Sequence, residues 1–191
     1  MSSSNSSTPP ETSYARFDEQ GQLVPNLARW TSIADESRKW RGRYRILAGH
    51  VAPGSAVIEF GCGDMALRDM LPPGCHYQPS DIVARSADSL VIDLDGELPS
   101  QLPRHYEVAV LSGVLEYVRD PAHALRWATS VADQVLFSYA TLEDFPDLDK
   151  RHRIYGWFNH LNHLQVLALE GLQVETIGRW HRQNLYRARR A

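Results

Sequence analysis

The stretch from Val57 to Ala66 constrains the fold more than any other part of the chain. It begins with β-branched and aromatic residues that favour a buried strand, and it continues at once into Gly61 and Gly63. Asp64 then opens a short run with apolar residues, for which we predict a helix that ends at the following Pro-Pro-Gly. A strand, a glycine turn and a helix N-terminus favour a nucleotide site, because glycine allows close backbone approach and the helix end carries partial positive charge.

Two acidic residues narrow the kind of nucleotide. Glu59 precedes Gly61 by two residues, and we expect its carboxylate to point into the turn, where it would repel a pyrophosphate and attract a cation. Asp81 follows Gly61 by twenty residues, at the end of the next apolar run, where an acid can bind a ribose hydroxyl pair. These features favour S-adenosylmethionine. The glycine spacing also fits the dinucleotide fingerprint, so a nicotinamide-dependent dehydrogenase is a third, disfavoured hypothesis.

Glu59-Phe-Gly61-Cys-Gly63 resembles the E/D-x-G-x-G-x-G motif of class I S-adenosylmethionine-dependent methyltransferases. The resemblance extends to Ser80-Asp81-Ile82, to Val91-Ile-Asp93-Leu94 and to the run from Tyr106 to Pro121, and it covers roughly residues 55–140. It implies an α/β fold with a Rossmann-like open sheet of about seven strands, mostly parallel, with a C-terminal antiparallel hairpin and helices on both faces. The family's third glycine falls on Met65, which puts close backbone approach at that point in question.

The resemblance also implies S-adenosylmethionine as the cofactor and a set of residues that hold it. We expect these to be Glu59, Gly61, Cys62, Gly63, Asp81, Ile82, Asp93, Leu94 and Ser112. In the family, an acid at the position of Asp93 accepts from the adenine amino group. The alternative is a turn aspartate, because Asp95-Gly96 directly afterwards is a strong turn signal.

We predict a disordered tail over residues 1–20 and a single domain over residues 21–191. Residues 14–24 carry no regular pattern. A helical cap is expected over about 27–51, since Trp30, Trp40, Tyr44 and Leu47 follow a helical rhythm, and Trp40 and Tyr44 would cover the cofactor. The basic residues of this segment are expected on its solvated face: Arg38, Lys39, Arg41, Arg43 and Arg45.

Beyond the cap, the pattern predicts alternating strands and helices followed by a hairpin. Strands are expected over 57–60, 75–79, 90–92, 106–111 and 134–139. A short helix is expected over 114–118, a longer one capped by Asp120 with Pro121 at its first position, and another over 161–167 that ends by Gly171. Residues 172–177 and 183–187 should form the hairpin.

Composition excludes several classes of protein. A net charge of -3 over 191 residues argues against a general nucleic-acid binder. No apolar run approaches the roughly 20 residues that a membrane span requires, and the first ten residues do not resemble a secretory signal. The two cysteines do not form a disulfide framework, which favours a reducing, cytoplasmic location.

Candidate acceptor-side groups follow the fifth predicted strand. His152, His160 and His163 are candidate bases, and Tyr139 lies at the strand end; their alternative reading is polar surface, capping or packing. No ligand spacing suggests a metal site. Tyr155, Trp157 and Phe158 form either an apolar substrate wall or an anchor for the loop.

Four partner hypotheses remain at this level. A small-molecule or saccharide acceptor is favoured, because the N/D-P-P-Y/F run of base-methylating enzymes is missing after the fourth predicted strand. The basic run over 179–190 is expected to be a solvated edge, with an anionic or RNA substrate as the alternative. The competing function is a non-catalytic binding or regulatory module that needs a protein partner, and a homodimer also stays open.

Overall fold

The protein is built around a mostly parallel sheet, and its computed structural model describes residues 13–32 and 37–191. The strands are β1 (Arg16–Phe17), β2 (Leu23–Val24), β3 (Ala56–Phe60), β4 (His76–Asp81), β5 (Leu90–Val91), β6 (Tyr106–Leu111), β7 (Ala132–Tyr139), β8 (Leu172–Trp180) and β9 (Gln183–Arg190). β1 and β2 form a small antiparallel hairpin. The other seven form one sheet in the order β5-β4-β3-β6-β7-β9-β8. The first five are parallel, and β9 runs antiparallel to both β7 and β8, which confirms the predicted fold class.

Successive side chains of the central strands pack alternately into two separate hydrophobic cores. Val57, Val108 and Leu136 pack on one face of the sheet, while Ile58, Ala109 and Val135 pack on the other. All are buried, since helices cover both faces of the sheet. The apolar runs in the sequence are therefore continuous rather than alternating with polar residues.

The helices are α1 (Leu27–Ser32), α2 (Arg41–Ala48), α3 (Pro121–Val131) and α4 (His163–Leu167). α2 covers one face of the sheet, while α3 and α4 cover the other. The predicted start of α3 is confirmed: the Asp120 side chain accepts a hydrogen bond of 2.9 Å from the His123 N–H, and Pro121 is the first helical residue. Among the described helices none is long and apolar enough to cross a membrane.

The helix predicted after the glycine turn is wrong. Residues 61–67 form turns, and only a 3-10 turn over Arg68–Met70 follows. Met65 has a φ of 59°, which interrupts a right-handed helix in its first turn. The glycine turn therefore has no α-helix N-terminus beside it, and backbone groups and side chains must supply any ligand contacts.

Other predicted helices differ in length. The run over 114–118 contains a 3-10 turn over Leu115–Tyr117 rather than an α-helix. A π-helical segment over Lys150–Tyr155, which no periodicity indicated, ends at Gly156 in the left-handed conformation. The predicted helix over 161–167 begins later, at His163, because Asn162 and Gln165 form a capping box.

The N-terminal segment differs most from the prediction. The continuous cap helix over 27–51 is wrong: α1, a 3-10 turn over Ser37–Trp40 and α2 replace it, while residues 33–36 lie outside the described residues. Residues 1–12 of the predicted tail also lie outside them. Residues 13–20 are ordered, because β1 pairs with β2 and the Tyr14 N–H donates to the Ile154 carbonyl at 2.6 Å. A segment with no apolar rhythm is thus held by backbone hydrogen bonds to a distant loop.

Candidate functional site

The site lies where the strand order reverses. The chain passes from β3 outward to β4 and β5, and then returns to the other side of β3 as β6. The carboxyl ends of β3 and β6 therefore diverge into a crevice, which is where open α/β sheets bind ligands. A cavity of about 490 Å³ lies there, a size typical of small-molecule sites.

The glycine turn after β3 keeps a left-handed backbone at alternate residues. Gly61, Gly63 and Met65 have φ values of 70°, 53° and 59°. A Cβ at Gly61 would lie 2.5 Å from Cγ2 of Val114, so glycine is required there by contact as well as by conformation. A Cβ at Gly63 would meet nothing within 4 Å, and both glycines line the cavity. Met65 thus has the backbone shape that suits the family's third glycine, at a cost in strain.

Asp81, at the end of β4, is buried and lines the cavity. Its Oδ2 accepts 3.0 Å hydrogen bonds from the Gly63 N–H and from Nε of Arg85, and its Oδ1 accepts one of 2.8 Å from the Ile82 N–H. These contacts hold the carboxylate in one orientation and tie the glycine turn to the neighbouring strand.

The cavity also brings together Ile82, Asp93, Leu94 and Ser112 from the expected cofactor set. Asp93 is exposed, and its Oδ1 accepts from the Asp95 N–H at 3.0 Å. It therefore belongs both to the turn after β5 and to the cavity wall. A role in the turn and a contact with adenine are therefore compatible for Asp93.

Glu59 is not placed as we expected. Side chains alternate along β3, so Glu59 points into the core under α2; it is fully buried and does not line the cavity. The Tyr77 hydroxyl donates to its Oε2 at 2.5 Å. Burial raises the pKa of Glu59 to about 8, against which the Tyr77 hydrogen bond acts. The expectation that the Glu59 carboxylate points into the turn is therefore wrong, and the raised pKa favours its protonated form at neutral pH.

Cys62 is the other expected cofactor residue that does not line the cavity. Its side chain is buried, and its N–H donates to the Ser80 carbonyl at 3.0 Å. Burial raises the pKa of the thiol to about 12, so it stays protonated. Its contribution is to join the turn to the end of β4.

Arg43 of α2 lines the cavity. We expected it on the solvated face, yet it is 3% exposed and lies against the end of β6. Its Nη2 donates to the Ser112 carbonyl at 3.0 Å and its Nη1 to Oε1 of Gln183 at 2.5 Å. The spacing contained the signal: position 43 lies three residues after Trp40 and four before Leu47, on the apolar face of the helix.

Glu116 is a second residue to which we gave no role. It is buried and lines the cavity, and burial raises its pKa. Its Oε1 accepts from the Ala140 N–H at 2.9 Å and from Nε2 of Gln183 at 3.3 Å, whereas its Oε2 is buried without a hydrogen-bond partner. Gln183 of β9 thereby joins Arg43 to Glu116 across the cavity floor.

None of the four expected catalytic candidates, His152, His160, His163 and Tyr139, lines the cavity. His160 accepts a 3.2 Å hydrogen bond at Nδ1 from Nε of the fully buried Arg151, and burial lowers its pKa. The surrounding loop is organised around this arginine, so the histidine faces inward to it rather than toward the site.

The remaining candidates brace the same loop. The Tyr139 hydroxyl donates to Oδ1 of Asn159 at 2.5 Å, and burial raises its pKa to about 12. His163 shares a 2.8 Å hydrogen bond with the Tyr186 hydroxyl, and His152 meets the Phe17 ring edge-on. Their packing and bracing reading is the one that the geometry favours. Among the described residues, no cluster of three or more ligating side chains suits a metal ion.

The family of the chain is shown by its sequence. A family model described as "Methyltransferase domain" matches residues 32–176, which is most of the chain. The chain belongs to this family. The matched range begins at the end of α1 and ends within β8, so the methyltransferase domain contains every strand end of the parallel sheet. A comparison with the sequences of curated proteins finds no match.

Solved structures share the fold of this methyltransferase domain at low sequence identity. A complex between the Haloferax volcanii Trm112 methyltransferase activator and the putative methyltransferase matches with a TM-score of 0.63 and 16% identity, covering 85% of this chain and 94% of that one. Putative Zn-dependent alcohol dehydrogenases from Rhodobacter sphaeroides match with a TM-score of 0.65 and 14% identity, over 88% and 100%.

An O-methyltransferase (NcsB1) from neocarzinostatin biosynthesis, in complex with S-adenosylmethionine and 2-hydroxy-5-methyl naphthoic acid, matches with a TM-score of 0.65 and 16% identity. The match covers 86% of this chain and 57% of that one. At these identities each likeness shows the fold alone, and the function has to be argued from the cavity.

Proposed function

We propose that this protein transfers a methyl group from S-adenosylmethionine to a small-molecule or saccharide-type acceptor. The family match supports S-adenosylmethionine-dependent methylation. The observation that carries the proposal is the meeting of a left-handed glycine turn, a buried acid and a buried guanidinium around one cavity: Gly61–Gly63, Asp81 and Arg43.

Each of these groups suits a different part of S-adenosylmethionine. Asp81 offers carboxylate oxygens to the ribose hydroxyls, and Asp93 with Leu94 meets the adenine. Arg43 offers a buried positive charge to the carboxylate of the methionine part. The open space above Gly63 allows the ligand to lie directly on the backbone.

The bound cofactor supplies a methyl group on a sulfonium sulfur, which a lone pair of the acceptor displaces in line. The protein's share is to hold both partners in that line and to keep water out, and proximity supplies much of the rate. A base is needed only if the acceptor loses a proton during attack. Because the four predicted candidates lie outside the cavity, we assign no catalytic base.

Calorimetric titration of the full chain tests the cofactor assignment. We expect S-adenosylmethionine and S-adenosylhomocysteine to bind in the micromolar range and NAD not to bind. Asp81→Asn should weaken adenosyl binding by roughly thirtyfold, since charge-assisted hydrogen bonds are lost, whereas the exposed Asp88→Asn should not. Equal affinity of the Asp81 variant would remove the ribose assignment.

Arg43 is tested against a neighbour on the same helix. Arg43→Gln should weaken adenosyl binding by about tenfold, while the exposed Arg45→Gln leaves it unchanged. Incubation with labelled donor and cell extract then tests catalysis. A labelled product that Arg45→Gln retains and Asp81→Asn loses would support the enzyme, and no labelled product at all would count against it.

The second candidate function is a binding or regulatory module that needs a protein partner. It is favoured by the likeness to the Haloferax volcanii structure, which contains an activator protein. The two-residue edge strand β5 exposes 62% of Val91, so this edge of the sheet could receive a partner. If the purified chain binds S-adenosylmethionine but transfers methyl only in a cell fraction that contains protein, this function replaces the first. A cytoplasmic location remains a prediction from composition.

A further inference from the structure

The Arg43 guanidinium lies beside the glycine turn. The strand register places Phe60 of β3 opposite Leu111 of β6, so the residues that follow them, Gly61 and Ser112, are neighbours at the edge of the sheet. Nη2 of Arg43 donates to the Ser112 carbonyl at 3.0 Å. A residue of α2 therefore brings a positive charge next to the turn.

The groups expected to bind the cofactor follow the order of the strands. Asp93 lies after β5, Asp81 ends β4, the glycine turn follows β3, and Arg43 lies against the end of β6. Neighbouring strands are about 4.8 Å apart, so this row spans about 14 Å from β5 to β6. An adenosyl ligand has its parts in the same order: adenine, ribose, sulfur and amino-acid carboxylate. When Asp81 holds the ribose, the carboxylate therefore extends toward Arg43.

Close packing on Gly113 fixes the position of the guanidinium. A Cβ at Gly113 would lie 2.6 Å from both Nη1 and Nη2 of Arg43, so glycine alone leaves room for the guanidinium at this position. The Gly113 N–H donates to Oγ of Ser138 at 2.8 Å, which ties the backbone beside the guanidinium to β7.

Gln183, the first residue of β9, provides a second acceptor for Arg43. Nη1 of Arg43 donates to Oε1 of Gln183 at 2.5 Å. Because an arginine side chain only donates hydrogen bonds, the amide must present its oxygen to Arg43 and its NH2 group elsewhere. That NH2 group donates to Oε1 of Glu116 at 3.3 Å. Both ends of the amide are thus engaged, which gives it one orientation.

A second contact joins the C-terminal hairpin to α2. A Cβ at Gly42 would collide with Nε1 of Trp180, so glycine lets the indole pack directly against the helix. Trp180 pairs with Gln183 across the hairpin. Gly42 and Arg43, consecutive residues of α2, therefore each contact one side of the same hairpin turn.

The positive charge of Arg43 suits a ligand anion. The Ser112 carbonyl and the Gln183 amide, which accept hydrogen bonds from the guanidinium, are uncharged. Arg43 lowers the pKa values of Glu59 and Glu116, but burial raises both more strongly, which favours their neutral forms. The contacts that hold the guanidinium thus leave its charge for a charge-assisted hydrogen bond to a carboxylate.

We infer that Gln183 is a positioning residue for the cofactor: together with Gly113, it holds the Arg43 guanidinium where the carboxylate of the amino-acid part binds. The C-terminal hairpin thereby belongs to the binding site as well as to the sheet. This inference rests on the proposed function, because it requires that the cavity binds an adenosyl compound.

Two ligands separate the positioning of Arg43 from a general effect on folding. S-adenosylhomocysteine carries the carboxylate, whereas 5′-methylthioadenosine is an adenosyl thioether without the amino-acid part. Both are titrated calorimetrically into the full chain. Gln183→Met, which removes the hydrogen bonds of the amide, should weaken S-adenosylhomocysteine binding about fivefold and leave 5′-methylthioadenosine binding unchanged. Gln173→Met, at an exposed position of the same hairpin, is the matched control and should change neither.

Two further variants test whether Gln183 acts through Arg43. In the Arg43→Gln background, Gln183→Met should cause no further loss of S-adenosylhomocysteine affinity, because its partner is already absent. Gly113→Ala should displace the guanidinium by contact with the added Cβ. It should also weaken S-adenosylhomocysteine binding about fivefold, while 5′-methylthioadenosine binding stays within about twofold. Thermal unfolding checks that each variant folds.

Equal losses for both ligands in Gln183→Met would show a general structural role and would overturn the inference. Unchanged S-adenosylhomocysteine affinity in that variant, or losses that add in the double variant, would overturn it too. If the wild type binds S-adenosylhomocysteine alone, the double variant decides. If the wild type binds neither ligand, the proposed function fails instead, and the first titration identifies that case.

Discussion

The two ends of the cavity are built in different ways. The cofactor end, which is where we propose that S-adenosylmethionine binds, consists of short turns at the carboxyl ends of neighbouring parallel strands, and the buried Asp81 accepts a hydrogen bond from the backbone of the glycine turn. What we call the aromatic end is the set of lining rings that come from the segment before β1, from α1, from the turn after β6 and from the loop between β7 and β8: Tyr14, Trp30, Tyr117, Phe145, Tyr155 and Trp157. The first depends on backbone conformation, and the second on which distant segments pack together.

This difference has a consequence for how each end responds to substitution. At Gly61 the turn tolerates no added Cβ, because the atom would lie 2.5 Å from Cγ2 of Val114 in a residue with positive φ. An end assembled from flexible side chains can be remodelled at modest cost. We therefore expect the cofactor end to be sensitive to a single added atom at Gly61 and the aromatic end to be more tolerant.

Gly61→Ala should have the largest effect. Its Cβ would lie 2.5 Å from Cγ2 of Val114 in a residue with a φ of 70°, so we expect about 3 kcal/mol of lost stability and a loss of adenosyl binding of at least about a hundredfold. Denaturant unfolding and calorimetry measure the two. Gly54→Ala, also at positive φ but with nothing within 4 Å, is the control and should cost about 1 kcal/mol without any change in binding. If Gly61→Ala and Gly54→Ala lose the same stability and bind adenosyl compounds equally well, contact with Val114 does not explain the effect at Gly61.

Glu59→Gln should change the pH dependence of stability. Since burial raises the pKa of Glu59 to about 8, the folded protein keeps a proton that the unfolded chain releases above about pH 4.5. The free energy of unfolding of the wild type should therefore fall as pH rises from 4.5 to 8. The variant lacks this contribution and should gain on the order of 3 kcal/mol relative to the wild type between pH 5 and pH 8. Thermal unfolding across this range measures it, and a pH-independent difference would mean that the acid is ionised in the fold.

Gly156→Ala tests the tolerance of the aromatic end. The residue has a φ of 71°, and a Cβ would lie 3.1 Å from Cα of Ala15, where the N-terminal segment meets the loop after the π-helix. We expect about 2 kcal/mol of lost stability, because the N-terminal segment must shift, while S-adenosylhomocysteine binding stays within about twofold. A collapse of adenosyl binding comparable with that of Gly61→Ala would show that the two ends are not independent.

Met65→Gly should have the smallest effect on stability, and it should stabilise the protein where the glycine-to-alanine variants destabilise it. Glycine removes the strain of a left-handed side-chain residue, partly offset by its greater freedom when unfolded, so we expect a gain of about 0.5–1 kcal/mol. Asp69→Gly, an exposed position nearby without positive φ, should instead lose stability by about 1 kcal/mol. Chemical denaturation of both variants decides the sign, and a loss at both positions would mean that Met65 is not strained.

Much of the fold and half of the site were predictable from local patterns. Patterns among neighbouring residues predict the parallel strands, the capped start of α3 and the C-terminal hairpin. Gly61, Gly63, Asp81 and Asp93 lie at or just after strand ends and line the cavity, and their role in binding the cofactor stays a prediction. Strand ends of a parallel sheet meet at one edge whatever the rest of the chain does.

Prediction failed where the outcome depended on which face a side chain takes or on a distant contact. Glu59 has the expected position but points into the core, because strand alternation assigns it to the face under α2. Arg43 is charged and yet lies inside, since Ser112 and Gln183 supply partners that come from strands far along the chain. His160 is turned away from the site by Arg151, a contact that no spacing encodes.

The sequence by itself determined the order of the strands' apolar runs, the glycine turn and the family, because short-range sterics and side-chain periodicity are properties of neighbouring residues. Only the tertiary structure decided that burial raises the pKa of Glu59 and of Glu116, that an arginine of α2 enters the cavity, and that aromatic side chains from distant segments line it. The physical reason is that burial and charge pairing depend on all the atoms around a group, and those atoms come from segments that folding alone brings together.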